Sequence, residues 1–134
     1  MISTKGKTIH QVADEIFKTL VKQGKQCMTP TGKGCSHGDD EGNHCAIGWL
    51  LPEDDPLLMN FEEGVSDLVQ SGFHLGPNDK FIRDNKDDMD ILQYIHDSVD
   101  SESYPDIINN LRCLSFKAPE SITKWIEQQK GYEG

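Results

Sequence analysis

The stretch Cys35-Ser36-His37-Gly38-Asp39-Asp40-Glu41-Gly42-Asn43-His44-Cys45-Ala46-Ile47-Gly48-Trp49-Leu50-Leu51-Pro52 decides the fold class, because it reads as two short arms around an acidic turn. Cys35 to Gly38 and Asn43 to Ile47 flank Asp39-Asp40-Glu41-Gly42, the arrangement of a small hairpin, although the first arm has poor strand propensity. The apolar run Ala46 to Leu51 then reads as a buried turn of helix or a strand end. Pro52 and the acidic Glu53-Asp54-Asp55-Pro56 stop it.

Outward from this stretch the pattern is helical. Ile9, Val12, Ala13, Ile16, Phe17, Leu20 and Val21 keep the three-four spacing of one helical face, which predicts an amphipathic core helix over Ile9 to Gln23. Thr8 and Gln11 supply a capping box, and Gly24 is placed to end the helix. From Lys25 the periodicity dissolves into Thr29-Pro30-Thr31-Gly32-Lys33-Gly34, a turn-rich segment. Downstream, Leu57-Leu58-Met59 and Val65 to Gln70 read as short helices, the second ending near Ser71-Gly72. A longer helix over Lys86 to Val99 places Met89, Leu92, Ile95, His96 and Val99 on one face, with Asp87, Asp88 and Asp90 near its amino end, where acids suit the helix dipole. Pro105 to Leu114 and Pro119 to Gln129 complete the set, with Trp49 and Trp125 expected as core anchors. The expectation is an α+β fold: a mainly helical single domain spanning 1–134, with a small hairpin or short sheet and residues 1–7 as a flexible start.

The 134 residues suffice for a hydrophobic core without obligatory staples. Twenty-three acidic residues against 13 basic ones give a net charge of -10, which repels phosphate backbones and anionic lipid. Direct nucleic-acid binding and membrane association are therefore not expected. The same field attracts basic protein faces, and Asp39, Asp40, Glu41, Glu53, Asp54 and Asp55 are the candidate acidic contacts for such a partner. The longest apolar runs fall far short of the roughly 20 residues of a membrane span. No apolar region follows the first lysines, so a cytoplasmic protein with Cys27, Cys35, Cys45 and Cys113 reduced is expected.

Two chemistries compete at the opening stretch. Cys35, His37, His44 and Cys45 offer two sulfur and two nitrogen donors for zinc. On a strand, however, the neighbours His44 and Cys45 point to opposite faces. A hairpin then converges about three of the four donors, and Cys27 or His74 must complete the site. Alternatively Cys45 is a nucleophile at a helix start, with His96, which Asp97 follows, as the base and His37 or His44 as competitors for that role. The carboxylate clusters lack the alternation of a calcium loop, and Gly32-Lys33-Gly34 lacks the longer phosphate-loop pattern.

The Cys35 to Pro52 stretch resembles a segment of a group of small bacteriophage and prophage proteins. In these proteins an amino-terminal helix is followed by Cys-x-Tyr-Arg, a Gly-containing turn, and Cys-Ala-Val/Ile-Gly with an apolar pair and Pro. Here Cys35, Gly42, Cys45-Ala46-Ile47-Gly48 and Leu50-Leu51-Pro52 stand in those places. Glu63-Gly64-Val65 and Leu92-Gln93-Tyr94-Ile95-His96-Asp97 resemble the group's downstream Glu-Gly and Leu-Gln-x-x-His-Asp segments. Ser36-His37 replaces Tyr-Arg and His44 replaces Lys, so a zinc site using both histidines would belong to this member alone. The resemblance implies a phage context. The expected function is a small acidic protein that binds and modulates or inhibits a host protein, in host takeover or anti-defence, without a resident cofactor. The alternative is a zinc- or thiol-dependent protein, in its most demanding version a hydrolase, using the Cys35/Cys45 region.

Overall fold

The computed structural model describes residues 1–24, 44–55, 58 and 65–131. The first helix, α1 (Ile9–Gln23), forms where the apolar spacing predicts it and buries Val12, Ala13, Ile16, Phe17 and Leu20. Full burial of a side chain such as Phe17 contributes about 1.5–3 kcal/mol, and this face, more than local propensity, holds the helix. Both halves of the capping box are present: Gln11 N–H donates to Thr8 Oγ1 at 3.2 Å, and Thr8 N–H donates to Gln11 Oε1 at 2.9 Å. Gly24 ends the helix at φ 81°, a left-handed conformation that glycine adopts without steric cost.

A 3-10 helix, η1 (Ile47–Leu50), follows, and then α2 (Val65–Gln70), α3 (Asp79–Asp84) and α4 (Lys86–Ser98). The chain continues through α5 (Tyr104–Asn110), the 3-10 turn η2 (Leu111–Cys113) and α6 (Glu120–Gln129). The most extensive helix contact joins α1 to α6. At its centre Phe17 meets Trp125 edge-on, with ring centroids 5.5 Å apart. Trp125 stacks in turn on His96 of α4, again at 5.5 Å, so one row of rings ties three helices together. Trp125 is the core anchor the sequence predicts; Trp49 is partly buried, packed against the same core.

The α+β expectation is overturned: the described residues contain helices and no strand or sheet. Of the two expected hairpin arms, Cys35 to Gly38 and the turn Asp39 to Gly42 lie outside the described residues. Asn43 of the second arm lies outside them too, His44 is a single bridge residue, and Ile47 at the end of that arm is the first residue of η1. Cys45 Sγ accepts the Gly48 N–H at 3.3 Å, an i to i+3 contact across the start of η1. The Gln23 side chain serves His44 as a strand edge would, donating to its carbonyl at 3.0 Å and accepting its N–H at 2.8 Å. A side-chain amide from the end of α1 thus does for His44 what a ladder does in a sheet.

Helix α3 has no counterpart in the periodicity reading, and its approach is fixed by two residues. Gly76, at φ 86°, lies so close to Pro52 that an added Cβ would come within 2.4 Å of the ring, so only glycine fits. Asn78, 3% exposed, uses its whole side-chain amide. Its Oδ1 accepts from Thr4 N–H at 3.1 Å and Thr4 Oγ1 at 2.8 Å, and its Nδ2 donates to the carbonyls of Ile2 at 2.7 Å and Leu50 at 2.9 Å. Ile2 N–H also donates to the Trp49 carbonyl at 2.7 Å. Residues 2–4 are thereby laid along η1 and the approach of α3. Asp88, grouped in sequence with the acids that suit the α4 dipole, is buried and accepts from Ser115 N–H at 2.9 Å and from the Ser115 hydroxyl.

Candidate functional site

Ile47 to Leu50 and Leu92 to Asp97 lie where η1 packs on α4. Ile47 N–H donates to Gln93 Oε1 at 2.9 Å, and Gln93 Nε2 donates to Asp97 Oδ1 at 2.7 Å. The same carboxylate oxygen lies 2.8 Å from His96 Nδ1, so with Asp97 ionised Nδ1 is the donor. His96 and Asp97 are therefore paired with each other. Their other contacts are structural, because Asp97 also fixes Gln93 and the His96 ring is wholly buried against Trp125. Cys45 is likewise 0% exposed, with its sulfur engaged by Gly48 N–H. A thiol buried this way in the core behaves as a small apolar side chain.

Of the zinc candidates, His44 and Cys45 lie among the described residues. His44 Nε2 is 3.4 Å from Glu53 Oε1, and its ring meets Trp49 edge-on at 4.4 Å, while Cys45 turns into the core. His74 is exposed, with Nδ1 accepting the Gly76 N–H at 3.1 Å. Among the described residues no group of three or more His, Cys, Asp or Glu side chains is placed to hold a metal ion. Cys27, Cys35 and His37 lie outside those residues, as do the acidic candidates Asp39, Asp40 and Glu41.

Of the remaining acidic candidates, Glu53 takes the amino-terminal ammonium at 3.2 Å. That hydrogen bond, with a smaller contribution from His44, holds its carboxyl below the usual 4.5. Asp55 Oδ1 accepts the Leu58 N–H at 3.4 Å, and Asp54 is exposed. Two of these three carboxylates are thus engaged within the chain.

A different acidic face emerges on α4. Asp87, Asp90, Tyr94 and Asp97 follow each other at three-four spacing, on the side opposite Met89, Leu92 and Ile95. Tyr94 is 45% exposed and, with Met1, is one of two large hydrophobic side chains left exposed among the described residues. Its hydroxyl donates to the Glu102 carboxylate, an interaction that pushes the phenol above its usual value of 10.0. Asn110 Nδ2 donates to the other Glu102 oxygen at 3.3 Å, which fixes that carboxylate beside the ring. Below lies a notch of about 400 Å³ lined by Asp90, Tyr94, Asp97, Asn110 and Cys113. Among the described residues no Lys or Arg forms an ion pair with Asp90 or Asp97. The spacing of this face is written in the sequence; reading Asp87 and Asp90 only as complements of the helix dipole hid it. No family model, curated protein or solved structure matches this chain.

Proposed function

We propose that the chain is a small acidic binding protein of the phage type its sequence resembles. In this reading it docks the α4 face onto a basic surface of a host protein in the bacterial cytoplasm and thereby modulates or inhibits that protein. The observation that carries the reading is Tyr94, a half-exposed ring in the middle of an acidic stripe beside a notch. Tyrosine supplies large contact area at low entropy cost and is enriched among the residues that dominate interface energies. The surrounding carboxylates steer a basic partner and reject acidic ones. Asp87 is 97% exposed, so the stripe is open to such a partner.

Affinity capture from bacterial lysate, run in parallel with the wild type and Asp87→Asn/Asp90→Asn/Tyr94→Ala, tests the proposal. The partner should be held by the wild type and lost by the triple variant. Capture should weaken as salt rises, since the screening length falls from about 10 Å at 0.1 M to about 3 Å at 1 M. Tyr94→Ala alone should weaken binding about thirtyfold, the equivalent of an interface residue worth about 2 kcal/mol. Retention of the same protein by the triple variant, or capture by the wild type no better than background, would sink the proposal.

A further inference from the structure

A groove of about 1070 Å³ runs between α1 and α6, and it shares no lining residue with the α4 notch. Its charge is opposite to that of the molecule. Lys18 and Lys22 stand on the α1 wall, and Lys117 and Lys124 on the other, so four of the chain's 13 cationic residues line one groove of a protein with net charge -10. Lys18 is paired with Asp14 at 2.7 Å, and Asp14 also accepts from Ser121 Oγ at 2.7 Å, closing the floor between the helices. Glu127 accepts from the Tyr104 hydroxyl at 3.1 Å. Exposed Lys22, Lys117 and Lys124 have no ion pair among the described residues. The phenol hydrogen bond leaves Glu127 charged, so the four lysines face three carboxylates, Asp14, Glu120 and Glu127, and the positive excess lies in the unpaired Lys22, Lys117 and Lys124 along the rim. Between the charges, Val21, Ala118 and Pro119 provide apolar lining.

We propose that this groove is a second docking site that takes an acidic peptide segment of a protein partner. Lys22, Lys117 and Lys124 engage its carboxylates, and Val21, Ala118 and Pro119 receive its aliphatic side chains. Charge complementarity selects the class of occupant. A polynucleotide fits less well: neither arginine lines the groove to grip phosphate bidentately, and no Phe, Tyr or Trp lines it for bases to stack on. The net charge of -10 also repels a polyanion more than a short acidic segment, whose contacts form within the roughly 8 Å screening length of physiological salt.

The test titrates a fluorescently labelled peptide in which Glu alternates with Leu and Ala. Comparisons are the same peptide with Gln for Glu and a single-stranded oligothymidylate, with sedimentation of the protein alone. The acidic peptide should bind saturably, and Lys22→Gln/Lys117→Gln/Lys124→Gln should weaken it about tenfold or more, three partly exposed ion pairs being removed. The exposed control Lys80→Gln should bind as the wild type does. The three substituted side chains are exposed, and an unchanged far-ultraviolet circular dichroism spectrum confirms that the variant is folded. The proposal is overturned by equal binding of the Gln peptide, by an unaffected triple variant, or by tighter binding of the oligonucleotide. Self-association abolished by the same triple variant would overturn it too, by making a second copy the occupant. Asp87→Asn/Asp90→Asn/Tyr94→Ala should leave peptide binding intact, so failure of the α4 proposal and failure of this one are separately visible.

Discussion

Asn78→Ala and Asn78→Asp together test whether a single amide clamps the opening residues and η1 to the approach of α3. Asn78 makes four hydrogen bonds, to Thr4 N–H, Thr4 Oγ1, the Ile2 carbonyl and the Leu50 carbonyl. A typical intramolecular bond contributes about 0.5–1.5 kcal/mol net, and a buried group left unsatisfied costs about 1–3 kcal/mol. The partners in residues 2–4 regain water if that segment lifts, whereas the bond to the Leu50 carbonyl is buried. The alanine variant should therefore lose about 2–4 kcal/mol, moving the midpoint of urea denaturation by about 1–2 M for a slope of about 2 kcal/mol per M. The aspartate variant has nearly the same shape and keeps both Thr4 bonds. It replaces the donor that now lies 2.7 Å and 2.9 Å from two carbonyls with a charged oxygen. It should be no more stable than the alanine variant at pH 7. The part of its penalty due to ionisation vanishes below about pH 3.9, where the carboxyl is neutral even in the unfolded chain, and grows as pH rises toward its elevated folded value; the loss of one of the two donors remains at every pH. An aspartate variant more stable than the alanine variant at pH 7, or an alanine variant within about 0.5 kcal/mol of wild type, would refute the reasoning.

Thiol accessibility provides a second check: a maleimide probe at neutral pH should label exposed Cys113 in the native protein and reach Cys45 only on unfolding. Equal native labelling of the two, mapped by peptide mass, would return Cys45 to the list of nucleophiles. Acid titration provides a third. The Leu75 N–H bonded to Asp79, followed by the Arg83 guanidinium, holds this carboxyl below the usual 3.8. A depressed folded value means that its contribution is complete above about pH 4 and is lost as pH falls through the lower folded value. Asp79→Asn should cost about 1 kcal/mol or more at pH 7 and flatten the acid side of the stability curve; an unchanged acid slope would contradict the assignment.

The helices were legible because each of the clearer ones pays its own ordering cost through one periodic apolar face, visible in a window of a dozen residues. The reading from Ile9 to Gln23 matches α1 at both ends, since the Thr8 box and Gly24 act within one turn of the residues they cap. Met89, Leu92, Ile95, His96 and Val99 are all buried, as their spacing requires. Helix α3 escaped because its six residues bury only Ile82, too little to register as a period. The β expectation failed at His44 to Ile47 for a related reason. Whether such a short segment extends or coils depends on what meets its backbone, and among the described residues the Gln23 side chain meets that of His44.

The candidate sites divide the same way. The sequence by itself determined which side chains carry charge, the -10 balance, and the α4 spacing that puts Asp87, Asp90, Tyr94 and Asp97 on one face. Only the tertiary structure decided which of those groups are spent. It buried Cys45, gave Asp88 to Ser115, and gathered four lysines between α1 and α6 from segments about a hundred positions apart in the chain. Local pattern specifies an element because its interactions lie within a few residues. Burial and pairing depend on contacts such as Asn78 with Thr4, 74 positions away, that exist only once the elements have packed.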